Sequence, residues 1–559
     1  MKFSQAPISD TIKNLSREAE ERDAERRAKK EALPYLDLRN QAIDRTALEL
    51  VSEATAREAK AVAFDKDKKS VKIATTDSKS NEFNKMLLLL EEQKFKSTIF
   101  ISSLSGLKEA WGQYVSVRVE DRGEIVSEIK LGEGVIESKS NIKSTAQAVE
   151  DVSQIDSDVS TTDALVKILA DAVVLRASDI HIEADKENAT IRFRIDGMLH
   201  EIAKIPKDVH GRLVGRLKLL ANLKLNIKNE AQDGRFSIRR SGKDIESRVS
   251  IIPAEYGESA VLRILDPDTI DLELVDLGLR EEDKETLLEN IKMPNGMVLV
   301  TGPTGSGKTT TLYTLLKIKN SSETKAITIE DPIEYHLDGI EQTQVSPKDG
   351  YTFASGLRSV LRQDPDIILV GEIRDKETAS TAIDAALTGH LVFSTLHTNS
   401  ASGAIPRLID LGVKSDSITP AINLIIAQRL VRRLCEKCKT PSVVDAELKS
   451  KIENFLRALP QNVRPTIGPI ALYEKSSCDA CEDGFRGRVG IFELLSLDSS
   501  FEEVFGLNVG EAKIMKHARN KGMVYMQEDG VIKALSGTTT LEEVERATGS
   551  IKWPEAPVE

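Results

Sequence analysis

Residues 297–310, MVLVTGPTGSGKTT, restrict the possible folds of this chain more than any other stretch. Four apolar residues (Met297, Val298, Leu299, Val300) run into Gly302-Pro303-Thr304-Gly305-Ser306-Gly307-Lys308-Thr309, with Thr310 directly behind. That turn fits G-x-x-x-x-G-K-[ST] at every fixed position. Leu312, Leu315 and Leu316 follow at helical spacing. A buried strand, a loop with exposed amides and a helix N-terminus together form a phosphate cradle. Loop amides hold phosphate oxygens, Lys308 adds positive charge, and the Thr309 hydroxyl reaches Mg²⁺.

Two later stretches place acids where a parallel α/β sheet holds its ligands, at the carboxyl ends of its strands. AITIEDPIEY (326–335) is an apolar strand ending in Glu330, Asp331 and Glu334. DPDIILVGEIRD (364–375) contains a strand ending at Gly371-Glu372. One acid there can hold Mg²⁺ through its water shell, and a second can orient or deprotonate an attacking water. A single acid after a strand is commonly a turn residue; two sets behind a phosphate loop form a pattern. TGHLVFSTLHTN (388–399) reads as another buried strand, bracketed by His390 and His397. Either histidine alone reads as structural, whereas the pair could contact the γ-phosphate or relay its presence.

The rest of the chain must supply further domains, since 559 residues imply about three or four. The net charge of −12 argues against bulk electrostatic binding of nucleic acid or a membrane surface. No run approaches the roughly 18 apolar residues of a membrane span, and MKFSQAPISD lacks the apolar core of a signal peptide. A cytoplasmic protein is expected. Residues 16–32, dense in both charge signs, read as a solvated helix or an interaction tail. Residues 61–118 alternate short strand patterns (AVAFD, SVKIATT, STIFISS) around a helical stretch at 82–92, suggesting a small α/β module within 1–136. The polar stretch 137–162 reads as a linker.

Between 163 and 272, ATIRFRIDGMLHEI reads as two strands around a turn at Asp196-Gly197. Arginines recur here: Arg192, Arg194, Arg212, Arg216, Arg235, Arg239, Arg240, Arg248 and Arg263. Any single one solvates a surface; in a chain that binds a nucleoside triphosphate, some are expected to meet phosphate, for which the guanidinium fork is suited. The ATPase-type core is assigned to 273–430.

All four cysteines lie in two C-x-x-C pairs, Cys435/Cys438 and Cys478/Cys481. Each knuckle offers two thiolates from one turn, the donor set of a tetrahedral Zn²⁺. Two redox pairs or unliganded thiols are the alternatives. A zinc module over 431–495 and a helical region over 496–559 complete the expected order. The basic residues Arg432, Arg433, Lys437 and Lys439 beside the first knuckle read as a solvated face or a contact for an acidic partner.

Together these motifs resemble the secretion-superfamily ATPases of type IV pilus assembly and type II secretion, over about residues 160–550. Residues 302–309 look like that family's Walker A, 326–335 its aspartate box, 364–375 its Walker B and 388–399 its histidine box. The resemblance implies a RecA-like P-loop domain preceded by a smaller α+β (PAS-like) domain, Glu334 as catalytic glutamate and Glu372 as the Walker B acid. RFRIDG (192–197) resembles the segment that sends arginines toward bound ATP. Also implied are ATP, Mg²⁺ and Zn²⁺ as ligands, a homo-hexameric motor, and docking to an inner-membrane platform protein, with membrane association through partners and no nucleic acid. The tetracysteine module and long N-terminal region resemble extension and secretion ATPases more than retraction ATPases. A conjugation or DNA-uptake ATPase, or a nucleotide-gated scaffold with little hydrolysis, are the rival functions. The RLG-x-x-L pattern of the cyclic-di-GMP-binding variety is absent.

Overall fold

The structure, a computed structural model, describes residues 8–554 apart from 39–40, 42, 49, 68, 93–94, 113, 115–127, 132–143, 154, 156–157, 241–242, 268–271, 462, 464–469 and 506–509. Residues 137–143 of the expected linker therefore lie outside the described residues.

The N-terminal module is a three-stranded sheet, β1 (Ala61–Lys66), β2 (Ser70–Thr75) and β3 (Lys96–Ile101), with the helix Asn81–Glu92 crossing between β2 and β3. The charged run forms the long helix Ile8–Glu31. One stripe of it is not solvated: Ala24 and Ala28 are buried, and Glu21 accepts hydrogen bonds from Tyr35 and Ser103, both at 2.7 Å. Small residues at helical spacing let a strongly charged helix lie close against the module.

The second domain is a seven-stranded sheet in the order β4-β8-β9-β10-β5-β6-β7. Its strands are β4 (Glu128–Leu131), β5 (Asp179–Ala184), β6 (Asn188–Ile195), β7 (Met198–Pro206), β8 (Gln232–Arg240), β9 (Lys243–Ala254) and β10 (Gly257–Leu265). Strict alternation in β6 buries Ile191, Phe193 and Ile195 and turns Arg192 and Arg194 outward. The helices Thr161–Val174 and Lys207–Leu220 share the core of the apolar face. Two expected boundaries move. β4 pairs in parallel with β8, so this domain begins before 136. The expected linker contains the helix Thr145–Val152, whose Ala148 and Val152, with Ile155, enter the same core. Three apolar residues at i, i+4 and i+7 suffice to dock one helical turn despite the polar composition around them.

The third domain holds the phosphate loop in a sheet ordered β13-β12-β14-β15-β11-β16-β19. Its members are β11 (Gly296–Thr301), β12 (Ala326–Glu330), β13 (Glu341–Gln344), β14 (Ile367–Val370), β15 (Leu391–Leu396) and β16 (Ile422–Leu434). After a small ribbon of β17 (Thr440–Ser442) and β18 (Leu472–Glu474) comes β19 (Phe485–Ser496). All pairings from β13 to β16 are parallel, and β19 closes the edge antiparallel to β16. β11, β14 and β15 are buried at every position, as strands covered by helices on both faces must be. Because β16 reaches Leu434 and β19 starts at Phe485, the tetracysteine insert spans 435–484 rather than 431–495. The C-terminal helices are likewise not separate. Phe501, Ile514 and Met526 belong to the core of the phosphate-loop sheet, and Val531 and Val544 pack with Ile452 and Phe455 of the insert.

Buried charges tie the C-terminal region to this sheet. Asp529, fully buried, pairs with Lys533 at 2.6 Å and Arg280 at 3.2 Å and accepts the Phe492 amide at 2.8 Å. Arg432, expected on a solvated face, instead grips Glu543 at 2.7 Å. Burial works against ionisation of Glu543, yet hydrogen bonds from Arg546 and Arg432 hold its carboxyl down at about 2. Asp529→Ala leaves Lys533 buried without its paired carboxylate, while Arg280 keeps Asp283 at 2.6 Å, and is expected to destabilise the domain by about 3–5 kcal/mol. Urea unfolding followed by circular dichroism checks this, and an unmoved midpoint would contradict it.

Candidate nucleotide site and tetracysteine cluster

β11 delivers the loop to the carboxyl edge of the sheet, and two glycines give it its shape. Gly302 has φ +150°, and a Cβ there would meet the Gln428 carbonyl oxygen at 2.5 Å. Gly307, at φ +87°, opens the helix Lys308–Lys319, and a Cβ there would meet the Gln428 side chain at 2.8 Å. Gln428, on β16, thus backs the loop, and it also accepts the Thr311 hydroxyl at 2.7 Å. Lys308 folds over the loop and donates to the carbonyls of Gly302 (2.8 Å) and Pro303 (3.0 Å). Burial lowers its pKa, with Glu372 pulling the other way. Ser306 Oγ is buried with no hydrogen-bond partner, and Thr309 is exposed on the first helical turn. A cradle with an orphaned hydroxyl, a cation folded across it and a free first-turn threonine fits a bound phosphate chain and Mg²⁺.

The neighbouring strands bring other predicted residues to the same edge. Thr301 is in register with Leu396, and its hydroxyl bonds to Thr398 at 2.7 Å, which pins the loop strand to the segment after β15. His397 emerges there, its Nε2 3.4 Å from Glu372. Glu372, just past β14, is also gripped by Arg374. Glu334 follows β12 and is held by an arginine from the second domain, Arg248, at 2.9 Å; the other arm of Arg248 reaches the Ile333 carbonyl.

Four expected residues stand elsewhere. Glu330 is buried and spent on structure: it accepts the Tyr313 hydroxyl, the Thr328 hydroxyl at 2.5 Å and the Gln342 amide at 3.2 Å. Burial and the adjacent Glu330 push the Tyr313 phenol far up, so it stays a donor. His390 precedes β15 and bonds the Ala385 carbonyl at 3.1 Å. Two residues that bracket a strand necessarily lie at its opposite ends, here about 20 Å apart. Arg192 pairs with Glu183, and Arg194 donates to the Gly197 carbonyl at 3.1 Å and lies 3.5 Å from Asp179, all within their own domain. Arg248, Arg429 and Gln428 also stand at this edge. Arg429 bonds Asn399 at 3.0 Å beside the loop. Nothing in the local spacing marks Gln428 or Arg429, while Arg248 was one of many arginines.

The four cysteine sulfurs converge. Cys435–Cys478, Cys438–Cys481 and Cys478–Cys481 are separated by 3.8, 3.6 and 3.5 Å, and all four sulfurs lie within 4.8 Å of one another. Thiolates around a tetrahedral Zn²⁺ at about 2.3 Å sit about 3.8 Å apart, so the cluster has the dimensions of a metal site. No helix among the described residues is long and apolar enough to cross a membrane.

The profile of the "Type II/IV secretion system protein" family matches residues 154–546. Among characterised proteins, the chain is 43% identical over 400 residues to the "Type II secretion system ATPase E" of Vibrio cholerae, covering 71% of this chain and 77% of that protein. It is 38% identical over 527 residues to the "Type IV pilus assembly ATPase PilB" of Myxococcus xanthus, covering 92% and 89%. Among solved structures, the Legionella pneumophila ATPase DotB has a TM-score of 0.52 at 23% identity, covering 70% of this chain and 97% of that one, a likeness of fold.

Gly302→Ala forces a Cβ against backbone that cannot retreat, and should weaken ATP binding about tenfold or more in a fluorescent-nucleotide titration. Unchanged affinity would show that the loop tolerates a wider turn.

Proposed function

We propose, from the premise that this chain belongs to the type II/IV secretion system protein family, that it is an ATPase whose hydrolysis drives assembly of a pilin-type filament. The observation that carries the proposal is the convergence of Lys308, Thr309, Glu372, His397 and Glu334 at one sheet edge around the phosphate cradle. The loop amides and Lys308 bind the β- and γ-phosphates. Thr309 and Glu372 are the residues that would hold Mg²⁺, which when bound neutralises charge developing on the transferred phosphoryl group. Glu334 accepts the proton of the attacking water. In this structure its carboxylate is neutralised by Arg248, so hydrolysis requires that pair to separate. A change in the angle between the second and third domains does this, and the released guanidinium becomes available to phosphate. His397, against Glu372, links the γ-phosphate position to the segment after β15.

Type IV pilus extension is the first reading, because the alignment with the Myxococcus relative takes in the N-terminal module. Type II secretion is the second, supported by the 43% identity to the Vibrio ATPase over 400 residues. In either case the working form is a homo-hexamer at the cytoplasmic face of the inner membrane, docked to a platform protein. The cysteine cluster holds Zn²⁺.

Glu334→Gln should retain ATP binding and lose about a hundredfold or more in turnover. Near wild-type hydrolysis would remove Glu334 from the proton-accepting role. About one equivalent of zinc per chain is expected in purified protein, lost when Cys435 and Cys438 are both changed to Ser, with faster proteolysis within 435–484. Less than about half an equivalent would sink the zinc assignment.

A further inference from the structure

Among the described residues, specific polar contacts join the end of the tetracysteine insert and the start of β19 to the second domain. Glu482 follows the ligand Cys481 in the turn that leads into β19. Its carboxylate accepts the Thr145 amide at 2.8 Å and the Thr145 hydroxyl at 2.5 Å, and it lies 3.9 Å from His200 Nδ1. Five residues on, the Gly487 amide donates to Asp196 in the β6–β7 turn at 2.8 Å.

The first contact stands in for a missing local one. Ser144 occupies the N-cap of the helix Thr145–Val152, yet its side chain makes no cap hydrogen bond. The first amides of a helix have no partner within it, and an acid is favoured there by the helix dipole. Glu482 supplies that cap from 337 positions away. Its side chain is 22% exposed, so the bond is partly shielded from solvent.

We infer that the tetracysteine module serves as a clasp: by fixing the Glu482 turn and the start of β19, it caps the helix Thr145–Val152, receives the Asp196 turn and holds the second domain against the phosphate-loop domain. The placement suits that task. β16 runs parallel to β11, is in register with it up to Ala427, and continues to Leu434 beyond the loop, about 20 Å of extra strand on the phosphate side of the sheet. Cys435 begins where that extension ends. Its amide donates to the Gly484 carbonyl at 2.9 Å, which joins the first knuckle to the turn carrying Glu482. The contacts that join the two domains include Arg248 on Glu334 beside the phosphates and, well apart from it, Glu482 on Thr145 at the hairpin tip.

The coupling of the clasp to metal rests on the zinc reading above; the clasp itself does not. Amide hydrogen exchange on the full-length protein tests each. Glu482→Ala keeps all four cysteines, so metal analysis should still give the wild-type zinc content. Exchange in peptides covering Thr145 and Gly487 should accelerate about tenfold or more, with the strands β11 and β14 unchanged. Removing the metal with a chelator should accelerate the same two peptides in the wild-type chain. Unchanged protection at Thr145 in zinc-replete Glu482→Ala overturns the clasp. Acceleration in Glu482→Ala with none on chelation of bound zinc overturns the role of the metal in it. Protein that binds no zinc refutes the zinc reading alone, since Glu482→Ala still decides the clasp.

Discussion

The parallel pairing of β11 with β15 on one side and β16 on the other is the constraint on which the rest of this molecule depends. It places Thr301, Leu396 and Ala427 level, so the phosphate loop, the segment with His397 and the support of Gln428 leave the sheet at one edge. β14, next along, adds Glu372, and β12 adds the turn to Glu334. None of these side chains is near another in sequence. Each is carried by a strand packed on both faces, where a slip of one residue would exchange the side chains fitted against the two covering layers.

The second domain and the tetracysteine insert act on that edge from outside. The second domain presents Arg248 to Glu334; the insert, carried past the loop by the long β16–β19 hairpin, presents Glu482 to Thr145. The residue aimed at the phosphates and the residue that caps the distant helix thus sit at two places on one domain boundary. Movement about either contact strains the other. This geometry gives the insert a mechanical role without any ligand to the nucleotide.

What was legible in the sequence was local. The phosphate loop, the β6–β7 turn at Asp196-Gly197 and the paired C-x-x-C knuckles are each specified by residues a few positions apart, and each stands where its spacing placed it. What was not legible depended on distant partners. Glu330 reads as a site acid until Tyr313 and Gln342 are brought against it, and then it is a structural carboxylate. The helix Thr145–Val152 hides in a polar stretch because three apolar contacts and a cap from residue 482 replace the usual local signals. His390 is a different case: strand geometry alone puts it at the far end from His397.

The choice of Arg248 over Arg192 and Arg194 follows from register that no single strand reveals. Across the second sheet, Arg235 on β8 faces Arg248 on β9, which faces Arg263 on β10; Arg263 faces Asp179 on β5, which faces Arg194 on β6. The five lie in one row on the face away from the core. Like charges directly opposite one another are destabilising, so such a row persists only with counter-charge. Asp179 supplies it for Arg263 at 3.0 Å and for Arg194 at 3.5 Å. Arg192, one row further along, faces His181 and takes Glu183 instead. Arg248 stands at the Arg-rich end of the row, flanked on both neighbouring strands by other arginines. Its strongest anionic contact, at 2.9 Å, comes from Glu334 in the other domain. Glu246 on its own strand is the weaker partner, at 3.7 Å, so the closer anion holds Arg248 across the domain boundary.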